Sequence, residues 1–453
     1  MVILETVLDE TMVVEDSIAL DNGSWYRRLL SNTYLKNNVL VLGAGLLSGA
    51  GNYLQHPLML ATIGLVGYRS VVSLVALSTV FLLPTQILST VMSRYAATLS
   101  VDNQFGQLND LVRRLTAVML AIGGLFALVF ILASGPIATF LHVGSVIPVI
   151  LLAIGFVVAF AAPVNGAALQ GLQLFSWSAP LSVLPLALRL LLIIVLVRLG
   201  LKIDGAILAI TLSTIIVYLI SFQPLRPLLR TPRVPLGSLR PLLSYSVTAI
   251  LATIGNAFLF QSDIVLASHF LSSVPAGLYV AVATLGKMVL FISSALTAVL
   301  LPQAAALHHR GKSTIGVVLQ SFFAMLILSA VVEAIFIIAP GHVIHVLYHS
   351  LTAVQAAAAA AQLPWYGLAM LLFAPTQALI TYFLAVNDRI FAYLMLVFSA
   401  LQAGLIIMRH GSVAEIVQSV IISISCMLVT LLVLFTVRVR YEQARTRVAL
   451  SID

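Results

Sequence analysis

Apolar residues in this chain come in long unbroken runs separated by short polar segments. The runs fall at about 37–62, 68–93, 113–134, 145–169, 177–199, 204–222, 242–268, 274–301, 314–339, 354–384, 389–408 and 414–437. A helix needs about 20 apolar residues to cross the ~30 Å hydrocarbon core. The runs lack the period-two alternation of a barrel strand. The pattern therefore predicts an all-α polytopic membrane protein with about twelve transmembrane helices.

Composition agrees and narrows the class. Of 453 residues, 61% are hydrophobic and 8% are charged. A soluble domain has roughly 25% charged residues, so a soluble enzyme, a disordered chain and a disulfide scaffold are excluded. Cys426 is the only cysteine, and its place inside an apolar run reads as a small packed residue.

Charge then sets the topology. An even number of passes puts both termini on one side. If that side is the cytoplasm, seventeen basic residues fall in cytoplasmic segments. Only Arg69, Arg198, Lys202 and Arg409 fall opposite, and Arg189 and Lys287 lie within spans. This asymmetry is the positive-inside signature. It predicts a multi-pass protein of the cytoplasmic membrane with both termini inside. The net charge of +8 is thus a topology signal, with no nucleic-acid partner implied.

The division of the chain follows. Residues 1–36 read as an acidic cytoplasmic tail, with Glu5, Asp9, Glu10, Glu15, Asp16 and Asp21 and no basic residue before Arg27. That start lacks the basic and apolar regions of a secretory signal. Residues 37–222 form a first six-helix bundle, and the Pro- and Arg-rich segment 223–241 is a cytoplasmic linker. Residues 242–437 form a second bundle, and 438–453 a basic cytoplasmic tail. The two halves share short matches. Gly51-Asn52 pairs with Gly255-Asn256 at an offset of 204, and Gly67-Tyr68 pairs with the Gly277–Tyr279 region. Six passes per half make this a parallel repeat, a common build of transporters whose site lies between the repeats.

The stretch 242–307 carries an AGLY…LGK pattern (Ala276–Tyr279, Leu285–Lys287) followed by Leu300–Gln303. It resembles the seventh and eighth helices of polysaccharide-biosynthesis membrane proteins, and residues 38–99 resemble that family's first two helices. These proteins belong to the multidrug/oligosaccharidyl-lipid/polysaccharide (MOP) exporter superfamily. The resemblance implies two six-helix bundles and the flipping or export of a lipid-linked oligosaccharide. Glycan polymerases or glycosyltransferases are the protein partners it suggests.

An ionisable group at mid-membrane costs about 2.5–3.5 kcal/mol on insertion scales, so it marks a cavity or a buried pair. Arg189 and Lys287 lie near the middle of their spans. Two central cations suit a pyrophosphate headgroup; the alternative is structural pairing with nearby acids. Asp263 is a candidate ion-coupling carboxylate or a counter-ion for Lys287. Glu333 is a second coupling candidate, or an acid reaching the outer interface. Asn52 and Gln55, and Asn256 and Gln261 in the second half, are candidate substrate contacts. Asn165 and Gln377, beside Pro163 and Pro375, are weaker ones. Pro57 should bend the first helix and contribute to gating. Arg94 ends the second span and can meet a phosphate or anchor topology. His342, His345 and His349 have helical spacing but no acid or cysteine beside them, so they read as an outer interfacial loop and no metal is expected. No Walker A, HExxH, CxxC or DxD pattern is present, so neither an enzyme nor a cofactor is expected.

Three functions remain open at this point. The first is a flippase for a lipid-linked oligosaccharide working by alternating access. The second is an ion-coupled multidrug antiporter of the same superfamily, which would want acids at the cavity centre. The third is a non-transporting scaffold for glycan assembly.

Overall fold

The computed structural model describes residues 33–450 except 84, 238–245, 387–388 and parts of 291–313, and within helices it describes the backbone alone at 33–39, 41–42, 246–249, 389 and 441–450. The acidic tail up to residue 32, Arg240, Arg310 and Lys312 lie outside the described residues, as does most of Leu300–Gln303. The helices are α1 (Thr33–Leu82), α2 (Thr85–Val101), α3 (Phe105–Leu132), α4 (Ser134–Phe140), α5 (Ile147–Gly171), α6 (Phe175–Leu196) and α7 (Lys202–Leu229). After the linker come α8 (Ser246–Phe270), α9 (Ser273–Gly286), α10 (Ile315–Ile338), α11 (Pro340–Leu347), α12 (Ala353–Ala385), α13 (Arg389–Met408) and α14 (Val413–Leu450).

Among the described residues, ten helical segments are long and apolar enough to cross a membrane. Two of them fold back on themselves. In α1, Gly64 has φ 72° and ψ 171°, a conformation that glycine adopts without Cβ strain. The Tyr68 hydroxyl then lies 3.0 Å from His56 Nδ1, whereas twelve residues of straight helix would span about 18 Å. The second reversal is at Gly200 (φ 88°), in the π-turn Val197–Leu201 between α6 and α7. There a Cβ on Gly205 would sit 3.2 Å from the Leu196 carbonyl carbon, nine residues back. Ten segments therefore make twelve passes, as the apolar runs predict.

The two halves repeat one plan. In each, a short helix (α4, α11) follows the third pass, at the end of the molecule opposite the linker. In each, a glycine of the first pass packs on the fifth. A Cβ on Gly51 would meet the Leu186 side chain, and one on Gly255 would meet Met395. These are the glycines paired in the sequence repeat. The halves touch chiefly through α1, α8 and α9.

Several boundaries differ from the apolar runs. The second pass is interrupted between Leu82 and Thr85 and then continues to Val101. Helix α7 runs seven residues into the expected linker, through Pro224 and Pro227, because Leu225 and Leu228 pack into a core with Leu111 and Leu115. Helix α14 continues through the expected basic tail to Leu450. Cys426 is exposed on α14 rather than packed. Arg69, expected in an outer loop, is 1% exposed and donates Nη2 to the His142 carbonyl at 2.8 Å.

Candidate functional site

The linker side of the α1 turn holds a cavity of about 470 Å³ between the halves. Helical periodicity builds its walls. Gly49, Asn52, Tyr53 and His56 share one stripe of the first limb of α1, with Gln55 beside them. Val72, Val75, Ala76 and Thr79 share one stripe of the second limb. Phe260, Gln261 and Ile264 come from α8, and Thr284 and Lys287 from the end of α9. Of the residues expected to contact substrate, Asn52, Gln55, Gln261 and Lys287 meet here.

Lys287 is tied to the cavity wall. Its Nζ lies 3.2 Å from Asp263 Oδ1, donates to the Phe260 carbonyl at 2.5 Å and sits 4.5 Å from the Phe260 ring centre. The other carboxylate oxygen, Oδ2, accepts from Tyr279 at 3.0 Å and from Tyr366 at 2.6 Å. Tyr279 and Lys287 stand two turns apart on one face, so the AGLY…LGK pattern converges on Asp263 from α9. A buried ion pair is tolerated when its remaining donors and acceptors are satisfied, and here they are. Asp263 thus serves as the counter-ion of Lys287, one of its two expected roles.

Arg189 is held differently. It lies on α6 behind the cavity wall, where Nη1 donates to Gln55 Oε1 at 3.1 Å. Its Nε is buried without a partner. Among the described residues no carboxylate lies within ion-pair distance of it. Its charge therefore stands uncompensated one side chain behind the lining.

The remaining sequence candidates lie elsewhere. Asn256, on α8, is outside the lining, and its Oδ1 is buried without a partner. Arg94 is exposed on α2. Helix α1 keeps helical dihedrals through Pro57, and its one non-helical residue is Gly64; α5 and α12 likewise run through Pro163 and Pro375. Asn165 donates to Ser221 within the first half, at 2.9 Å. Glu333 does not reach an outer surface: it is 2% exposed, packed on Gly367, with both oxygens unpartnered. The glycine on α12 lets the two helices close over the acid. His342, His345 and His349 are exposed at and just beyond α11, and no metal-type cluster forms among the described residues.

A polar aromatic seam closes the end opposite the linker. The Tyr68 hydroxyl meets Thr284 Oγ1 at 3.2 Å and the Tyr348 hydroxyl at 3.2 Å. His269 stacks on Phe140 at 3.9 Å and shares a 2.9 Å hydrogen bond with its carbonyl. Nearer mid-span, Tyr53 donates to the Lys287 carbonyl at 3.1 Å. These hydrogen bonds join the two halves. These tyrosines, along with His56 and Thr284, do not stand out in the sequence, because none is a formal charge at membrane depth. The match of Gly67-Tyr68 to the Gly277–Tyr279 region was the available signal for one of them, Tyr68.

Residues 88–308 match the family described as "Polysaccharide biosynthesis protein". No sequence among the curated proteins matches the chain. Solved structures share its fold. An inward-facing multidrug resistance MATE family transporter of the MOP superfamily has a TM-score of 0.71 at 13% identity, covering 90% of this chain and 99% of that one. The lipid II flippase MurJ, in an inward closed conformation, gives 0.65 at 10% identity, covering 89% and 87%. A MOP superfamily transporter from Pyrococcus furiosus, described as having a binding pocket of reverse polarity, gives 0.59 at 16%, covering 90% and 97%. The chain thus matches polysaccharide biosynthesis proteins in sequence over residues 88–308, and over most of its length it has the fold of MOP superfamily transporters.

Proposed function

We propose that this protein flips a lipid-linked oligosaccharide across the cytoplasmic membrane by alternating access, with the phosphate of the lipid carrier bound near Lys287 and Arg189. The observation that carries this reading is the uncompensated Arg189 charge behind Gln55, beside a cavity whose wall also holds Lys287. An anion entering there would supply the missing counter-charge for Arg189. Asn52, Gln55 and Gln261 offer neutral hydrogen-bonding groups suited to sugar hydroxyls. The seam at Tyr68 and Tyr348 closes the far end, so the state described is one loaded from the linker side, which the basic residues assign to the cytoplasm. Glycan polymerases or glycosyltransferases would act before and after it.

The antiporter reading is less well supported. A cationic drug needs an available carboxylate, and Asp263 is held by Lys287, Tyr279 and Tyr366. Glu333 keeps one part of it, because a buried acid without partners suits the binding and release of a coupling proton. Asp263, by contrast, serves this reading only as the anchor of Lys287.

The test is flipping in proteoliposomes, with a fluorescent polyprenyl-pyrophosphate glycan beside a cationic dye. Glycan-lipid flipping that Arg189→Ala and Lys287→Ala each lower by roughly 10-fold or more is the expected result. Dye transport that survives both substitutions would overturn it. Correctly inserted protein that flips neither, across several glycan lipids, would point to the scaffold reading.

A further inference from the structure

A second groove, of about 460 Å³, lies on the first half between α3, α7 and the start of the linker. Its lining holds Arg113, Arg114 and Arg233 against a single acid, Asp110. We propose that this groove binds an anionic phospholipid of the bilayer leaflet on the linker side.

The placement of charge and apolar surface along the two helices carries the argument. Helix α3 runs away from the linker end and α7 runs back to it. The arginines therefore cluster at the mouth, while Leu120 and Phe222 line the deeper wall. Arg113 and Leu120 are seven residues apart, about 10 Å along the helix. A charged mouth above an apolar wall is complementary to a phosphate headgroup above its acyl chains, and basic pockets between helices on the cytoplasmic side bind such headgroups.

The arginines differ in how far they are committed. Arg113 is spoken for: Nε donates to Asn109 and Nη2 to the Leu229 carbonyl, each at 2.8 Å. Arg114 pairs with Asp110 through Nε at 2.8 Å and donates Nη1 to the Leu236 carbonyl at 3.3 Å, yet its side chain remains 44% exposed. Arg233 is exposed and makes no described hydrogen bond or ion pair. The Thr116 hydroxyl, also in the lining, is buried and unpartnered. Donors thus remain for a phosphate.

The same side chains clamp the linker. Asp110 accepts from the Leu236 amide at 3.0 Å, Asn109 donates to the Thr231 carbonyl at 2.7 Å, and the Val234 amide bonds the Gly106 carbonyl at 3.2 Å. A phosphate held by Arg114 and Arg233 would bridge α3 to the linker and reinforce that clamp. The site is remote from the central cavity and does not depend on what the cavity carries.

Native mass spectrometry of the purified full chain, titrated with phosphatidylglycerol or with phosphatidylcholine, tests the inference. Wild type should retain phosphatidylglycerol preferentially. Basic residues near an anionic headgroup contribute roughly 5-fold each, so Arg114→Gln with Arg233→Gln should lose roughly 25-fold of that preference. Arg233→Gln alone breaks no described bond, and should still lose about 5-fold. Equal retention of the two lipids by wild type would overturn the site, as would undiminished preference in a well-folded Arg233→Gln protein.

Discussion

The first and fifth passes of each half meet at a comparable place, and the two seams are finished differently. In the second half Gln402, on α13, is fully buried and saturated. Its Nε2 donates to the Leu259 carbonyl at 2.8 Å and to Ser262 at 3.2 Å, while its Oε1 accepts from Ser423 at 2.9 Å. In the first half the corresponding helix pair carries Gln55 and Arg189, joined by one 3.1 Å bond, with the Arg189 Nε left over. A satisfied buried network rigidifies a core. A buried polar group left unsatisfied needs another explanation. One fold has thus used the same seam as glue in one half and as a poised charge in the other.

The largest effect should come from Asp263, one turn along α8 from Leu259 and next to Ser262. Asp263→Ala leaves Lys287 buried without its counter-ion, and breaking a buried pair costs about 3–5 kcal/mol. Thermal melting in detergent should show this loss, with partial recovery in the Asp263→Ala, Lys287→Ala double variant. A single variant that melts like wild type would show that the pair is dispensable.

The contrast between the seams is sharpened next by Arg189→Ala and Gln402→Ala. Losing a charged hydrogen bond costs about 1.5–3 kcal/mol, roughly 10- to 100-fold in affinity for an anionic substrate. Arg189→Ala should lower transport by that factor and leave melting almost unchanged. Gln402→Ala should do the reverse, losing about 1–3 kcal/mol of stability through its unpaired partners while the remaining folded protein transports normally. If both substitutions act on stability alone, the contrast fails.

The paired glycines give a smaller and purely steric version. A Cβ on Gly255 would sit 2.8 Å from Met395 Cβ and 2.9 Å from its carbonyl carbon, so backbone must move. On Gly51 the obstacle is the end of the Leu186 side chain, which can rotate. Gly255→Ala should cost about 1–3 kcal/mol and Gly51→Ala less. The smallest effect expected is that of Tyr68→Phe, which removes hydroxyl bonds to His56, Thr284 and Tyr348 for about 0.5–1.5 kcal/mol. Because that seam joins the halves, the variant should also increase labelling of the cavity from the far side in a cysteine-accessibility assay.

Twelve passes were legible because hydropathy depends on composition alone. The turn between the first two passes was legible too, since the gap at 63–67 contains Gly64. The depth of Arg189 and Lys287 followed from counting residues, and so did the option that Asp263 neutralises Lys287. The partners of Arg189 and Glu333 did not follow. Whether Arg189 meets a carboxylate or the Gln55 amide depends on how α6 is rotated against α1. Whether Glu333 points outward or into the bundle depends on the fit against Gly367 of α12. Rotation of this kind is set by packing between distant segments, and a single sequence with no alignment records little of it. Pro57, Pro163 and Pro375 each remove one backbone bond, and each lies within a continuous helical stretch.

Cys426 faces outward from α14, thirteen residues from its start at Val413, about 20 Å along the axis. The native chain thus carries one thiol on its exterior near the middle of a pass, and no engineered background is needed to make it unique. An apolar maleimide dissolved in the acyl chains should reach it, whereas a permanently charged reagent should be turned away by the headgroups. The protein comes with its own depth gauge, and with one fixed spectroscopic address on the second half from which movement of the first can be measured.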